Sequence, residues 1–434
     1  MNTCPEGKAA RGLCRGIFAA VVVCVAAWAQ VRANSLLSLN YPLGLPLTVE
    51  SGMGLSMGGA SCGVSDGNHV MMGNPANLGT IRRTAFSSLI SADFTSISES
   101  GKRSTDLTVV PRQFTLGFPV GVLGAAAVAM ERGSLVEVKY RDRLRVGRGF
   151  AGTGQAPATL DSVGLALSDE GGITSWQGGW GRSVGKRFSV GLAYERLYFS
   201  HDHTYFRTAY GTHLEVGNGR SYEEELRDSV SRTLRGNGIR GGVMFRWNDA
   251  TIGLSGRYVL RADLVSERRM YSDREAVESG VSREPVKLPP SVRGGGSYSF
   301  SQRLLVAADV EVTVWDRFDG GGLLREPDVT YAVSAGGGLQ FIPAPDLLAP
   351  QYWETIRYRT GGSFAQLPFR DNREARVHVG LGLPLKGHGL LDVVISGGRR
   401  WDDRYEGYSE DLLGLSVGVN GGRRWSSSSS ESYD

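Results

Sequence analysis

One stretch of the chain alternates strictly between aliphatic and mixed positions. In residues 303–318, RLLVAADVEVTVWDRF, every even position from Leu304 to Val314 is aliphatic, whereas the odd positions include Asp309, Glu311 and Trp315. A period of two is typical of a β-strand, because a helix would need apolar residues three or four apart. The aliphatic side of one strand can face a soluble core or a lipid bilayer, so the rest of the sequence must decide.

Segments of this kind recur along almost the whole chain after residue 83. The predicted strands are 84–95, 107–119, 122–132, 174–183, 187–198, 237–247, 250–261, 291–300, 303–315, 330–342, 356–366, 375–384, 389–399 and 412–421. Each has roughly ten residues, the length that a tilted strand needs to cross a bilayer. Bacterial outer-membrane barrels have an even number of such strands. The sequence therefore predicts an all-β fold, a transmembrane antiparallel β-barrel of about 14 strands over residues 84–425.

The connections between the predicted strands alternate between short and long. Tight turns are predicted at SVGKR, WNDA, FSQR and LKGHG, and long polar connections at 133–173, 199–236, 262–290 and 400–411. In an up-and-down barrel every second connection lies on the same side of the membrane, so the short ones fit periplasmic turns and the long ones extracellular loops. Residues 343–355 are a long connection where a short one is expected.

The polar parity of several strands predicts which side chains face the lumen. Arg257 opposes the aliphatic positions of 250–261, and Arg376 and His378 oppose those of 375–384, as Asp309 and Glu311 do in 303–318. A charge on the lipid face costs roughly 2 to 4 kcal/mol near the midplane. These five residues are therefore expected to face the lumen.

The chain begins with the pattern of an export signal. A basic region precedes a run of 13 apolar residues from Ile17 to Ala29. The positions three and one before the cleavage site are Ala27 and Ala29 or Val31 and Ala33, and residues 1–33 are taken as the signal. The net charge of the whole chain is +4, and residues 1–33 contribute +3, which leaves +1. Such a balance gives no support to nucleic-acid binding. A mature chain from residue 34 would retain Cys62 alone of the four cysteines, so it could form no internal disulfide.

A glycine-rich segment separates this signal from the first predicted strand. Residues 51–79, SGMGLSMGGASCGVSDGNHVMMGNPANLG, lack strand alternation and contain too much glycine for a stable helix. The Gly-x-Gly at Gly52 follows no strand and opens no βαβ unit, so a dinucleotide-binding loop is disfavoured. Irregular backbone at membrane depth is acceptable when protein or water surrounds it. Residues 34–83 are therefore predicted to form a plug inside the barrel.

This segment resembles the N-terminal hatch of the FadL-like outer-membrane transporters, in which a glycine-alanine stretch leads into an Asn-Pro-Ala motif, here Asn74, Pro75 and Ala76. The stretch LPPSVRGGGSYSFSQRLLVAADVEVTVWDRF (288–318) resembles the family's Leu-Pro-Pro entry into paired strands, and YRTGGSFAQLPF and VGLGLPL resemble its C-terminal pattern. Together the motifs span most of the mature chain.

The resemblance implies a fourteen-stranded barrel, plugged near its N-terminus, that passes hydrophobic molecules such as long-chain fatty acids across the outer membrane. It also implies a hatch or gating role for Asn74, Pro75 and Ala76. The chain departs from the family at Asn77, where glycine is usual, and after Trp425, where a serine-rich tail (426–434) replaces a terminal aromatic residue. That tail is predicted to be disordered.

Residues that could support catalysis or metal binding are sparse. His201 and His203 flank Asp202 in SHDHTYF, but no further ligand cluster accompanies them, so a solvated loop is the preferred interpretation. Asp309 and Glu311 could act as an acid/base pair, and charged lumen lining is again preferred. The sequence has no nucleophile elbow, zinc-protease or Walker motif. We therefore expect no enzyme activity, metal or cofactor.

The sequence favours passive, plug-gated uptake of hydrophobic molecules, with fatty acids and outer-membrane lipid as partners. It predicts an exported outer-membrane protein, monomeric, that meets the outer-membrane assembly machinery during insertion. Two alternatives remain open. The first is a non-transporting surface barrel whose long extracellular loops bind partners, and the second is a general porin with an open lumen.

Overall fold

The structure is a computed structural model of the chain. It describes residues 41, 43–48, 50–64, 69–99, 102–145, 150–151, 158–215, 218–272, 275–345, 350–369, 372–385, 389–403 and 408–423. The predicted signal (1–33), the start of the predicted plug, Trp425 and the predicted tail (426–434) lie outside the described residues.

The described chain is dominated by β-strands. They are β1 (Leu45–Pro46), β2 (Thr84–Glu99), β3 (Lys102–Pro119), β4 (Ala125–Arg132), β5 (Ser134–Arg145), β6 (Phe150–Ala151), β7 (Ala158–Val184), β8 (Phe188–Glu215), β9 (Asn218–Trp247), β10 (Ala250–Ser272), β11 (Glu275–Val286), β12 (Ser291–Ser299), β13 (Leu304–Val314), β14 (Tyr331–Phe341), β15 (Arg357–Gln366), β16 (Asn372–Pro384), β17 (Leu390–Asp402) and β18 (Ser409–Arg423).

The helices are short. One α-helix covers Gly52–Ser56, and 3₁₀ helices cover Pro75–Thr80, Gly121–Leu123, Trp315–Arg317 and Tyr352–Glu354. Among the described residues, no helix combines the length and the apolar character needed to cross a membrane.

The strands form one closed antiparallel barrel. Each wall strand pairs with the next, and β18 pairs with β2 over residues 84–98, which closes the wall. Within the described residues the wall has fourteen strands: β2, β3, the interrupted strand β4–β5, β7–β10 and β12–β18. Closure removes the outer edges that an open sheet would expose to hydrocarbon, where an unpaired backbone group is costly. The predicted fold class is confirmed.

The two faces of the wall differ as the alternation predicts. In β13, Val306 and Val310 are exposed on the outer face, whereas Ala307 and Asp309 are buried toward the lumen. Ile252 and Leu254 on β10 and Val377 on β16 are likewise exposed. A belt of outward aliphatic and aromatic side chains is what a bilayer requires of a barrel wall.

The two ends of the barrel differ in height. Tight connections, such as the one between Val184 and Phe188, lie at one end, which we call the turn end. β8 and β9 are 28 and 30 residues long in total, far more than the roughly ten that a bilayer crossing needs, and they project at the opposite, tall end. We call the projecting part, residues 134–145, 158–172, 200–215, 218–236, 262–272 and 275–286, the tall sheet.

The prediction that 133–173, 199–236 and 262–290 are loops is therefore wrong in its main feature. Most of these residues pair in long hairpins, for example 200–215 of β8 with 218–233 of β9. Above the bilayer both faces of such a sheet can meet water, so alternation weakens and the pattern resembles a polar loop. Backbone hydrogen bonding still stabilises these strands, and it leaves little trace in the residue pattern.

A buried aspartate stabilises the tall sheet. Asp169 on β7 is 2% exposed and lies 2.7 Å from Nε2 of His201 and 2.9 Å from Nδ1 of His203, both on β8. Arg232 on β9 approaches the other nitrogen of His201 at 3.3 Å. Burial raises the pKa of Asp169, but the hydrogen bonds and charges of the two histidines outweigh it and set the pKa at about 2.

We expect Asp169→Asn to destabilise the tall sheet in a pH-dependent way. The folded pKa of about 2 lies below the unfolded value near 4, so ionised Asp169 contributes about 2 kcal/mol at neutral pH. That contribution is present above about pH 4 and is lost as the pH falls toward 2. Urea unfolding of the refolded barrel at pH 7 and pH 2.5, with tryptophan fluorescence as readout, measures it.

Asp202→Asn is the matched control, because Asp202 is exposed and accepts a hydrogen bond from Ser231. This variant should change the free energy of unfolding by less than about 0.5 kcal/mol. Equal stability of wild type and Asp169→Asn at pH 7, or an undiminished difference at pH 2.5, would contradict the assignment.

Candidate functional site

The N-terminal segment, by which we mean the described residues 41, 43–48, 50–64 and 69–83, lies between opposite walls of the barrel. Its α-helix Gly52–Ser56 contacts β15–β18, and its 3₁₀ helix Pro75–Thr80 contacts β4 and β7–β9. Ser51 caps the α-helix by accepting a hydrogen bond from the Gly54 backbone N–H at 3.3 Å. Met53 and Met57 are fully buried. The segment therefore occupies much of the lumen toward the turn end.

Glycine allows this segment to pack directly against the wall. Gly58 has a φ of +72°, and a Cβ there would lie 2.2 Å from the carbonyl oxygen of Gly362. On the wall side, a Cβ at Gly191 would lie 2.2 Å from the carbonyl of Pro75. Real Cβ atoms do not make such contacts, so glycine is required on both surfaces.

The predicted motif residues form a turn that is bonded on several sides. Asn74 caps the 3₁₀ helix, because its Oδ1 accepts from the Ala76 N–H at 3.1 Å. Its Nδ2 donates to the carbonyl of Cys62 at 2.9 Å and to that of Val243 on β9 at 3.2 Å. Pro75 occupies the first helical position, and Ala76 is buried. Asn74 thus joins two parts of the N-terminal segment to the wall.

Asn77, where the sequence departs from the resembled family, is also buried. Its Nδ2 donates to the carbonyl of Val64, and its backbone N–H donates to the carbonyl of Asn74 at 3.0 Å. The asparagine therefore adds a contact inside the N-terminal segment that a glycine could not make.

A first ionic network connects the segment to β12 and β13. Oδ2 of Asp309 accepts from the backbone N–H of Ser61 at 2.8 Å and of Cys62 at 2.7 Å. Arg293 lies 2.9 Å from Asp309 and also bonds Glu50 and the carbonyl of Gly59. Removing one partner of a buried pair typically costs 3–5 kcal/mol, so the segment is firmly held here.

A second network connects His69 to the opposite wall. Nε2 of His69 lies 3.0 Å from Asp392 on β17, and both side chains are fully buried. Arg359 on β15 pairs with the other oxygen of Asp392 at 2.5 Å, and Asn420 on β18 donates to Asp392 at 2.6 Å.

Two further networks lie nearer the tall end. In one, Arg257 pairs with Glu195 at 2.7 Å, and Arg240 lies 3.6 Å from Glu195 and 3.9 Å from Glu131. In the other, Arg376 donates to Glu374 at 2.7 Å, and Arg400 pairs with Glu374 and Glu410. His378 is buried beside them, with Nε2 3.0 Å from the Ser363 hydroxyl.

A cavity of about 360 Å³ lies on the tall side of the N-terminal segment. Its polar lining includes Glu50, Arg257, Arg293, Asp309 and Glu311. Its apolar lining includes Leu43, Ile173, Leu288, Trp315 and Phe364. Leu43 and Leu288 belong to a buried apolar cluster that continues toward the tall end through Phe199, Leu234, Leu264, Phe318 and Leu324. The cavity thus has one charged side and one apolar side.

The wall is incomplete in hydrogen bonding beside this cavity. β3 pairs with β4 over residues 113–119, whereas β5 pairs with β7. Above residue 113, in the described residues, β3 and β5 carry no ladder between them, and the Thr108 hydroxyl donates to Glu137 at 3.2 Å across the gap. We call this gap the seam. Pro111 in β3 has no N–H to offer a neighbouring strand.

Glycines produce the bend that creates the seam. Gly133 separates β4 from β5, and Gly172 of β7 has a φ of +130°. A Cβ on Gly172 would lie 2.2 Å from the carbonyl of Ser134. Glu131, Gly133 and Ile173 also line the cavity, so the seam adjoins it. The seam was not predicted from the sequence. The sequence pattern that indicates the bend is Gly133 together with the glycine pair at 171–172, all inside a predicted loop.

The structure places the predicted site residues in two groups. Arg257, Asp309 and Glu311 line the cavity. Arg376 belongs to the Glu374 network, and His378 is buried next to that network and contacts Ser363. Asn74, Pro75 and Ala76 lie farther toward the turn end, against β7–β9. Glu195 and Arg293, which pair with Arg257 and Asp309, were not predicted from the sequence. Nor were their further partners Arg240 and Glu50. Within the described chain, no group of three His, Cys, Asp or Glu side chains has the geometry to hold a metal ion.

Several solved structures share this architecture. The toluene transporter TodX of Pseudomonas putida aligns with a TM-score of 0.59 at 17% identity, covering 87% of this chain and 99% of its own. A Pseudomonas aeruginosa FadL homologue gives 0.61 at 12% identity, covering 88% and 100%. The toluene transporter TbuX of Ralstonia pickettii gives 0.52 at 14% identity, covering 86% and 98%. At these identities the likeness establishes the fold.

Curated protein sequences gave no match. One family model, described as BamG, matches residues 15–425. The chain therefore belongs to the BamG family, and its barrel has the FadL-like fold.

Proposed function

We propose that this protein is an outer-membrane channel for the passive uptake of small hydrophobic molecules. The observation that carries the proposal is the cavity, which is continuous with an apolar cluster on one side and adjoins the seam on another. The similarity to solved structures titled as toluene transporters and a FadL homologue supports it. On this proposal the tall end is extracellular and the turn end periplasmic.

The apolar cluster supplies the entry step. An apolar molecule gains roughly 0.8 kcal/mol for each methylene that it buries. Phe199, Leu234 and Leu264, together with Phe318 and Leu324 from the connection after β13, provide such a surface at the tall end. An acyl chain satisfies this requirement, so long-chain fatty acids are one candidate. Their carboxylate head group poses a separate question.

The seam supplies the exit step. A hydrophobic molecule in the cavity is separated from the bilayer by the gap between β3 and β5, which a side-chain hydrogen bond crosses. Straight passage to the turn end would have to displace the N-terminal segment, with its Asp309–Arg293 and His69–Asp392 networks. Lateral release has to displace β1, which pairs with Leu135 and Ser134 of β5 beside the seam, but it leaves both ionic networks in place. It therefore breaks fewer strong contacts than the plug opening expected from the sequence. The same filled lumen weighs against a general porin.

Apart from the seam, the wall pairs its own backbone and needs no second copy to do so, so we propose that the channel acts as a monomer. We also propose that it is exported with a cleaved signal and meets the outer-membrane assembly machinery during insertion.

A second candidate function is partner binding by the tall sheet. In the described residues, β11 pairs with β10 on one side only, and nearly all of its residues are exposed on both faces. An unpaired strand edge can accept a strand from another protein. This observation favours the surface-barrel alternative as an additional role.

Cross-linking the seam should block uptake. We expect Thr108→Cys combined with Glu137→Cys, joined by a short bis-thiosulfonate reagent, to reduce uptake of radiolabelled dodecanol to the level of cells without the protein. Reduction of the cross-link should restore uptake, because the two strands then separate freely. The reagent applied to wild type is the control, since Cys62 is buried.

The same assay tests the gating role of the Asn-Pro-Ala turn. Combined Asn74→Ala and Pro75→Ala removes the cap and the fixed φ, and under lateral release it leaves dodecanol uptake near that of wild type. Uptake that survives the seam cross-link but changes in the Asn74/Pro75 variant would instead establish exit through the turn end. Heat-modifiable migration of each variant verifies a folded barrel.

The partner role has its own test. A photo-crosslinking residue at Val281 on β11, which is 71% exposed, should give a discrete adduct on intact cells. The control position is Val122, 86% exposed at the turn end, where no adduct is expected. Equal labelling at both positions, or none at Val281, would remove this candidate.

A further inference from the structure

The charged side of the cavity has an excess of carboxylates. Six acidic side chains and three arginines line it: Glu50, Glu131, Glu195, Asp309, Glu311 and Glu374, with Arg240, Arg257 and Arg293. With every group ionised, the lining carries a formal charge of −3, which becomes −2 when Arg376, Arg400 and Glu410, the network partners of Glu374, are counted with it. A ligand that enters the cavity lies close to these charges and away from bulk water, where electrostatic interactions are strongest.

Each arginine of the lining is already paired. Arg257 bonds Glu195 at 2.7 Å, and Arg240 lies between Glu195 and Glu131. Arg293 directs its N–H groups to Glu50, to Asp309 and to the carbonyl of Gly59. The carboxylate of an entering ligand would have to displace a carboxylate of the protein to gain a guanidinium.

One lining carboxylate has no direct partner. Glu374 pairs with Arg376 and Arg400. Glu311 lies opposite Arg293 in the β12–β13 register, but Arg293 is turned toward Glu50 and Asp309. Among the described residues, Glu311 forms no hydrogen bond and no ion pair within 4 Å; Arg257 and Arg293 act on it only at longer range.

A second polar group of the lining also lacks a partner. Tyr41 is 4% exposed, packs edge-on against Phe369, and its hydroxyl has no hydrogen bond in the described structure. A buried hydroxyl without a partner is unfavourable, and a ligand could satisfy it. The cavity thus combines apolar walls with an unpaired carboxylate and an unsatisfied hydroxyl.

We infer that the cavity selects hydrophobic molecules with a cationic head group, such as an alkylammonium, and that Glu311 is the residue that pairs with this head group. The inference rests on the proposed function and defines its substrate class. The alkyl chain lies along the apolar lining that includes Leu288 and Trp315. A neutral head group is tolerated, and a carboxylate is disfavoured by the field of the lining.

The test uses three probes with the same brominated alkyl chain, carrying an ammonium, an alcohol or a carboxylate. A bromine quenches nearby tryptophan fluorescence, and Trp315 lines the cavity. Binding to the full barrel in lipid nanodiscs is measured at pH 7.4, and the part of the quenching that Trp315→Phe abolishes reports the cavity. We expect the ammonium to bind at least about tenfold more tightly than the carboxylate, with the alcohol between them.

Glu311→Gln should lower the affinity for the ammonium by about tenfold and leave the alcohol unchanged. Glu311→Asp should retain the preference. Glu278→Gln is the matched control, because Glu278 is an exposed carboxylate on β11, remote from the cavity. Heat-modifiable migration in gel electrophoresis verifies that each variant folds. If Glu311→Gln does not fold, the order of affinities of the three probes for wild type and for Glu311→Asp tests the inference.

The outcomes separate the inference from the proposed function. Equal binding of the three probes, or tightest binding of the carboxylate, overturns the head-group selection and leaves a hydrophobic channel intact. A preference for the ammonium that Glu311→Gln does not change overturns the role of Glu311. Absence of Trp315 quenching by any probe overturns the cavity as a ligand site, and with it the proposed function.

Discussion

The wall of this protein must satisfy two solvents, hydrocarbon outside and a polar interior inside, with a single layer of strands. Closure of β18 on β2 pairs the backbone all the way round at membrane level apart from the seam. The period of two then sends aliphatic side chains outward, as at Val306 and Val310, and leaves every other position free to be polar. The interior features of the protein follow from this division.

The polar interior creates a problem that the N-terminal segment solves. Charged residues facing a lumen need partners when little water reaches them. The segment supplies Glu50, His69 and the backbone amides of Ser61 and Cys62 to groups on β12, β13, β15 and β17. Glycine contacts such as Gly58 on Gly362 bring the two backbones close enough for these bonds. The contacts that stabilise the polar interior are therefore the same contacts that hold the N-terminal segment inside the lumen.

The sequence predicts the strands whose side chains alternate with a period of two. It does not predict the strands that lie above the bilayer or the contacts between residues far apart in the sequence. Alternation in 303–318 was enough to predict β13 and the barrel around it, because the bilayer enforces that pattern. The strands of the tall sheet were not predicted, because residues such as Asp169 and His201 lie above the bilayer, where no apolar solvent enforces the alternation of side chains. The ion pair of Arg293 with Glu50 was not predicted for another reason. The two residues are more than two hundred positions apart in the sequence, and no local pattern relates positions so distant. The seam needed a kink that two separate glycine sites produce together.

The division of the wall can be measured directly by spin labelling along β13 in nanodiscs, in a Cys62→Ser background. Collision rates with oxygen, which concentrates in hydrocarbon, and with a water-soluble nickel complex distinguish the two faces. Labels at Val306 and Val310 should be accessible to oxygen and shielded from nickel, whereas labels at Glu311 and Thr313 should be shielded from oxygen. Nickel access at Val306 and Val310 with oxygen access at Thr313 would contradict the assignment of faces, and the account of the lumen, the cavity and the seam would fail with it.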